Sequence, residues 1–551
     1  MPRAFRILFA FCLLHFSSLA QAPLAQWHHL DPMADKTMGI STDRAYELLR
    51  TLPARPTARP IIVAVIDGGF DTAHVDLRHV LWHNPKEIPG NGRDDDHNGY
   101  ADDVYGWNFT GGADGRNMFY NQKEETRLYA RLKPLYEHQT LATVPPGKKA
   151  EFRLYQQAKQ AYTTKRAAAE ADYQDDAQEL AKDLANVATL RQAYGVAVVD
   201  SGLLHRPPAA ADTALPRLVA RYYRAVRGKF PNLDSLTNQY GRYHAKLKLR
   251  LDYDYNLAYN PQPLVGDHPA DLAERHYGNP DVKTDPLDHG VEHGTHCAGI
   301  IAADRANNLG VRGIAEQVRI LSVRAIPNGD ERDKDVANAI RYAVDNGASI
   351  ISMSFGKYFS PEKAVVDEAM RYADAKGVLL VHAAGNDHLN IDSTTQYPCG
   401  RFLNGQTIPN LITVGASART NDEHLVAPFS NYGRQLVDVF APGVEVMSTY
   451  PNNQYHPGSG TSMACPVVAG VAAVLKVNFP HLTPADLKRI VLASAAPCHT
   501  QVLKPGTKGL VDFATLSRAG GVVNLYEAVR LASLEPVRVS AKAPSRPRAS
   551  Q

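Results

Sequence analysis

Cysteine is scarce in this chain: only five occur among 551 residues, and one of them, Cys12, sits inside an N-terminal apolar run. The other four, Cys297, Cys399, Cys465 and Cys498, permit three pairings, so no disulfide framework can be read from them. Cys297 and Cys465 lie in segments of small residues where a buried thiol packs like alanine or valine. Cys399 and Cys498, in proline-flanked loops, are the candidates for a bridge. An excess of one charge is also missing: 60 basic residues face 57 acidic ones, for a formal net charge of +3. That balance excludes a single-sign field for gripping nucleic acid or an anionic membrane. Repeats are absent, and no segment after the N-terminus is apolar enough to span a bilayer. The zinc pattern His-Glu-x-x-His, a Cys-x-x-Cys pair and the Gly-Lys-Ser/Thr of a phosphate loop are all missing as well.

The N-terminus is a secretory signal over residues 1–22. Arg3 and Arg6 precede an apolar run from Ile7 to Phe16, and Ala20 and Ala22 form the small-residue cleavage pattern. His15 and two serines cut the run short of the ~20 residues that a spanning helix wants. The expected location is therefore secreted, periplasmic or extracellular, with no stable membrane insertion after cleavage. A polar lead over 23–60 follows, with a helix predicted around Ser41 to Arg50 and Ser41 as its cap.

Ile61 to Ile66 is apolar at every position, which suits a central parallel strand covered on both faces. Similar runs recur at Ile320 to Ala325, Ala348 to Met353, Val378 to His382 and Leu411 to Val414. Helical stretches over Asp333 to Asn346 and Pro361 to Lys376 alternate with them. Strand and helix taking turns predict an α/β fold around a parallel sheet.

Residues 120–250 differ in character, with few glycines and with Leu180, Leu184, Val187 and Leu190, then Leu215, Leu218, Tyr222 and Val226, at helical spacing. They read as a helical insertion, broken near Pro145 and Pro207. It is taken as a surface elaboration rather than a lid, because long insertions cost little loop entropy. The boundaries on this reading are 61–119, 120–250 and 251–533, followed by a Pro, Ser, Arg and Ala tail over 534–551 that is expected to be disordered.

Four short islands carry chemistry. Asp67 ends the first apolar strand before Gly68-Gly69, at the edge where open α/β sheets bind ligands. His293 stands in His293-Gly294-Thr295-His296, a turn running into a small-residue helix. Ser462 stands in Gly460-Thr461-Ser462-Met463-Ala464, at the first turn of a helix whose free amides can bind an oxyanion. Asn386 ends Ala383-Ala384-Gly385-Asn386 after a strand. An Asp, a His and a Ser together make a nucleophile, its base and an orienting carboxylate, and an asparagine amide supplies an oxyanion donor.

The order and settings of these islands resemble the subtilisin family of serine proteases, whose Asp, His, Ser sequence is a worked example of the triad. The resemblance extends to Ser352-Met353-Ser354-Phe355-Gly356, Phe429 to Gly433, Ala441 to Gly443 and Gly521 to Asn524, and so covers 61–110 and 285–530. It implies a three-layer subtilisin-like fold and a secreted endopeptidase acting on protein or peptide substrates. Asp67, His293 and Ser462 are then catalytic, with the first histidine of the pair as base and His296 structural. Asn386 becomes the oxyanion donor, and Ser354, Phe355 and Gly356 the substrate-binding wall that pairs by strand addition. No cofactor is required for this chemistry. The alternative is a protease-like binding or scaffold protein whose insertion occludes the groove; peptide ligation through the same acyl-enzyme is a third outcome. The family's inhibitory prodomain is longer than residues 23–60, and 226 positions separate Asp67 from His293; both depart from the usual pattern.

Asp94, Asp96, Asn98 and Asp102 place oxygen ligands at alternating positions around Gly99, like the start of a calcium loop. Tyr105 stands where an EF-hand would carry its bidentate glutamate. A structural calcium is the expectation there.

Overall fold

The computed structural model describes residues 26–53, 60–206, 214–283 and 289–536. The expected signal over 1–22, the second proline break near Pro207 and most of the expected tail, 537–551, lie outside the described residues. The chain divides into two compact units. One comprises residues up to Phe119, Leu264–Ile326 and Glu331 onward, and the other Tyr120–Pro263 with Pro327–Asp330.

The first unit is a three-layer α/β fold. Its sheet contains β1 (Ile61–Asp67), β2 (Gly106–Asn108), β3 (Val318–Arg324), β4 (Ala348–Met353), β5 (Leu379–Ala383), β6 (Leu411–Ser417) and β7 (Val439–Pro442). They run in the order β2-β3-β1-β4-β5-β6-β7, with every pairing parallel. The unbroken apolarity of β1 has a direct structural cause. Val63 and Val65 point into one buried layer and Ala64 and Ile66 into the other, so neither face meets water. Strand β5 divides in the same way, Leu379, Val381 and Ala383 against Leu380.

Helices Asp333–Asp345 and Lys363–Ala375 cover one face; His289–Ala302, Thr461–Asn478, Pro484–Ser494 and Leu525–Ser533 cover the other. Among the described residues, Thr461–Asn478 is the one helix long and apolar enough to cross a membrane, yet 83% of that window is buried inside the fold. Its small residues allow close approach: a methyl on Gly470 would lie 2.8 Å from Ile314 Cβ.

The polar lead is part of this core. Trp27 is buried and donates its indole N–H to Val444 O at 3.1 Å. The expected helix forms over Thr42–Thr51, but Ser41 does not cap it. Ser41 has a left-handed backbone (φ 59°), and its hydroxyl accepts from Asn524 Nδ2 at 2.8 Å, an allegiance to a helix far along the chain that overrides the local cap. The expected Cys399–Cys498 bridge does not form, and all four cysteines are free. Cys399 donates to Arg401 O, and Cys498 lies beside Asn421 and Thr500, so the two thiols serve different loops.

The second unit is helical, with Glu124–Tyr136, a 46-residue helix Lys149–Tyr194, Ala214–Val226 and Leu233–Leu249. Val187, Leu190, Val219, Tyr222, Val226, Leu233 and Leu236 form its core. Leu184, expected in the buried stripe, is 51% exposed. Asp183 faces inward in its place, accepting from the Tyr222 hydroxyl and Arg221.

Replacing Trp27 by Ala should cost about 3–5 kcal/mol through cavity formation and the lost indole bond. Replacing Leu510, which is 54% exposed, should cost under about 0.5 kcal/mol. Urea unfolding of the two variants against the parent measures both.

Candidate active site

All of the expected triad and groove residues lie at the carboxyl edge of the sheet or on helices that face it. Asp67 is the last residue of β1, and its backbone oxygen accepts from Ala325 and Ile326, which fixes the turn. His293 lies in the helix His289–Ala302, whose approach requires a glycine. A methyl on Gly294 would sit 2.1 Å from Gly69 O and 3.3 Å from Asp67 Cβ. With hydrogen there instead, His293 Nδ1 reaches both Asp67 carboxylate oxygens at 2.9 Å. A carboxylate only accepts, so Nδ1 carries a proton, and in the neutral ring Nε2 keeps its lone pair.

Burial alone would lower the pKa of His293. The Asp67 carboxylate at hydrogen-bond distance overcomes that effect and, with the Cys297 thiol beside the ring, raises it well above its ordinary 6.5. His296, one step along the helix, behaves in the opposite way: it is buried, bonded to His456 O at 3.0 Å, and pushed down to about 4 by burial. The first histidine thus faces the carboxylate, while the second is turned away from it into the core.

Ser462 begins the helix Thr461–Asn478. Pro466, four residues on, has no N–H, so the Ser462 carbonyl lacks its intrahelical donor. Two side chains from other elements take the place: Ser354 Oγ at 2.9 Å and Cys297 Sγ at 3.4 Å. The Ser462 hydroxyl donates to Ser354 O at 3.2 Å and makes no hydrogen bond to His293. A rotation about one side-chain bond, a picosecond-to-nanosecond event at such a site, would redirect it.

Asn386 Oδ1 accepts from Thr461 N at 2.9 Å and from Thr461 Oγ1 at 3.0 Å, which orients Nδ2 outward. The Met463 N–H is held by Gly460 O, so the Ser462 N–H between them has no acceptor among the described residues. A methyl on Gly460 would lie 3.6 Å from both Asn386 Nδ2 and Ser462 N. The space over Gly460 is thus bordered by two donors that make no hydrogen bond among the described residues.

Beyond β4, residues 354–356 leave the sheet. Phe355 O accepts from His382 Nε2 at 2.7 Å, and Lys357 exchanges backbone bonds with Tyr397, so the segment is pinned at both ends. Gly356 N–H and C=O make no hydrogen bond among the described residues, an edge open to strand addition. His382 and Cys297 are the supports that sequence reading passed over. Each is an ordinary buried residue by pattern, and only the fold brings it to the site.

In the acidic loop, the structure groups Asp94 and Asp96 with Glu87, their ligand oxygens all within 4.8 Å of one another. Asp102 lies outside that group and accepts from the backbone N–H groups of Gly90, Asn91 and Gly92, and Asn98 Oδ1 accepts from Tyr100 N; Glu87 and Asp94 also accept backbone N–H groups, from Asp95, Asp96 and Asp102 and from Asn98 and Gly99. Glu87 lies seven positions before Asp94, outside the alternating spacing. Asp67, His293 and Cys297 form a second group within the same limit, but there His293 Nδ1 is already engaged by the carboxylate.

The pH dependence has a definite sign. Protonated His293 should persist above pH 6.5, and Asp67→Asn should lower its pKa, because burial is then opposed only by the Cys297 thiol. Titration of the His293 ring by NMR in the two proteins reads both values.

The Subtilase family model matches residues 191–522, a span that holds His293, Asn386 and Ser462 but begins after Asp67. The chain is 45% identical over 192 residues to the thermophilic serine proteinase of Bacillus sp. (strain AK1), covering 35% of this chain and 44% of that one. It is 42% identical over 215 residues to thermitase of Thermoactinomyces vulgaris, covering 38% and 71%. With subtilisin NAT of Bacillus subtilis subsp. natto it shares 36% over 210 residues, covering 37% and 51%. The match thus spans about half the length of the first and third of these relatives. The family model fits more than half of the chain, and the carboxylate that it leaves out stands hydrogen-bonded to the imidazole that it includes: this chain belongs to the subtilase family.

Proposed function

We propose that the chain is a secreted serine endopeptidase that hydrolyses peptide bonds in protein or peptide substrates through an acyl-enzyme. The observation that carries this reading is the Asp67–His293 pair, joined at 2.9 Å across 226 positions beside the Ser462 helix. Ser462 Oγ turns from Ser354 O to His293 Nε2 and attacks the substrate carbonyl as His293 takes its proton. Asp67 holds the ring and stabilises its cation. The tetrahedral oxyanion lies between Asn386 Nδ2 and Ser462 N–H. Protonated His293 then gives its proton to the leaving amine, and a water activated by the same ring releases the acid. Losing one oxyanion donor costs about 10²–10³ in turnover. Substrate backbone pairs along 354–356. The N-terminal sequence pattern supports secretion.

A second reading, a protein that binds peptides without cleaving them, draws on the Ser462 hydroxyl being turned toward Ser354 O. A fluorophosphonate probe separates the two. Proteolysis requires that Ser462 be labelled in the parent, that labelling vanish in Ser462→Ala, and that casein turnover fall by about 10⁴–10⁶ in that variant. An unlabelled parent sinks the protease reading.

We also assign a structural calcium to the Glu87, Asp94 and Asp96 group. Three carboxylates form an all-oxygen donor set, which suits a hard cation. The ion would tie the 87–103 loop together and take no part in acyl transfer. Calcium at about 100 times its Kd adds about 2.7 kcal/mol, and each kcal/mol shifts the midpoint by about 2–4 °C. Chelation should therefore lower the unfolding midpoint by about 5–10 °C, and Glu87→Gln should abolish the calcium-dependent part.

A further inference from the structure

The near-neutral total of the chain conceals a local excess. Residues 201–233, in the helical unit, carry six Arg and Lys against one acidic residue, Asp212, which lies outside the described residues. Three of the six stand on the helix Ala214–Val226. Val219, Tyr222 and Val226 turn into the core of the unit, so Arg217, Arg221 and Arg224, four and three positions apart, form a stripe on the opposite, exposed side. Arg227 continues it past the helix end, its guanidinium 5.8 Å from the centre of the Tyr223 ring. His205 packs on the same ring at 5.4 Å, which brings the chain at Arg206 to that end of the unit.

Elsewhere in the unit, charge is spent internally. On the 46-residue helix, Asp172 accepts from Arg250 at 3.3 Å and Asp176 pairs with His244 at 2.8 Å. Of the stripe, only Arg221 has such a partner, Asp183 at 3.1 Å, and its side chain, 57% exposed, keeps further N–H groups for another acceptor. Arg224 donates only to Ala220 O in its own helix. Arg206, Arg217, Arg227 and Lys229 meet no carboxylate among the described residues. Like charges at this spacing repel one another. A ligand with carboxylates at a matching interval relieves that repulsion.

Spacing and surroundings define the ligand. Helix neighbours three and four apart lie about 5–6 Å from one another, and alternate side chains of an extended strand point the same way at about 7 Å intervals. Long guanidinium arms bridge the difference. A lipid surface wants large apolar side chains beside the cations, and a single-stranded nucleic acid wants aromatic platforms. Between the arginines, the exposed side offers Ala214, Pro216 and Ala220. We propose that the stripe is a docking surface for acidic polypeptide tracts of the Glu-x-Glu or Asp-x-Asp kind, bound in extended form. On the endopeptidase reading it recruits substrates by such a tract, apart from the bond that is cut. The binding itself does not depend on that reading.

The test uses the full chain as Ser462→Ala, which removes turnover, and fluorescein-labelled peptides of alternating Glu and Ser, or Gln and Ser, followed by anisotropy. The Glu peptide should bind tighter than the Gln peptide by about tenfold or more. Raising salt from about 0.1 M to about 1 M, which shortens the screening length from about 10 Å to about 3 Å, should weaken binding by about tenfold or more. Arg217→Glu with Arg224→Glu should weaken it by about tenfold or more as well. Lys149→Glu with Arg153→Glu makes the same change in net charge roughly 50 Å away along the 46-residue helix, and should leave binding within about twofold. If the first pair unfolds the unit, Arg217→Gln with Arg224→Gln carries the test, with the same direction of change. Equal affinity for the two peptides, equal weakening by the two variant pairs, or no binding of the Glu peptide at millimolar concentration overturns the proposal. So does tighter binding of single-stranded DNA of the same length or of phosphatidylglycerol vesicles.

Discussion

The site hangs on a hydrogen bond that the backbone cannot make. Because Pro466 has no N–H, the Ser462 carbonyl is left without a donor inside its own helix. An unpaired buried carbonyl is costly, about 1–3 kcal/mol. Ser354 from the end of β4 and Cys297 from the histidine helix satisfy it. One oxygen therefore ties together the Ser462 helix, the 354–356 segment and the helix that carries His293. Had residue 466 carried an N–H, the serine helix would be self-sufficient and those three elements would lack a common point of reference. The same economy applies to glycine. Gly294, Gly356 and Gly385 each leave a gap of one methyl group, and each gap is occupied by a neighbour's approach.

Much of the sheet was legible in the sequence, because burial on both faces removes alternation and leaves plain apolar runs. The run at Ile61 to Ile66 and the run at Ala348 to Met353 became β1 and β4 with their ends displaced by at most one residue. The strands β2 and β7, three and four residues long, were not named, since so short a span carries no period. Where a side chain's partner lies far along the chain, local rules failed. Ser41 serves Asn524 rather than its own helix, and Cys399 and Cys498 serve separate loops.

In the site, the residue types that chemistry demands were readable, and the residues that hold them were not. Asp67, His293, Ser462 and Asn386 stand in short motifs whose glycines and small residues mark unusual backbone. Cys297 and His382 look like ordinary interior positions, and their relation to the site exists only after chain crossings of tens to hundreds of residues. Glu87 was missed because a cation site is defined by a volume, whereas sequence offers only spacing. The limits of the family match follow the same logic. An insertion dilutes the similarity between two islands without disturbing their geometry, so the matched span begins at Arg191 while Asp67 keeps its place beside His293.

The sheet order also dictates a timetable. The neighbours of β1 are β3 and β4, and its first residue pairs with Val318, so about 250 residues must be made after β1 before either edge of that strand can be covered. At synthesis rates of roughly 5–20 residues per second, the wait is on the order of 10–50 seconds. Throughout it, an all-apolar segment with both edges unpaired is exposed to other chains, while the helical unit, whose contacts are closer in sequence, can form first. The insertion between the aspartate and the histidine thus makes newborn β1 a client for whatever shields apolar strands during synthesis and export, a burden that the finished fold conceals.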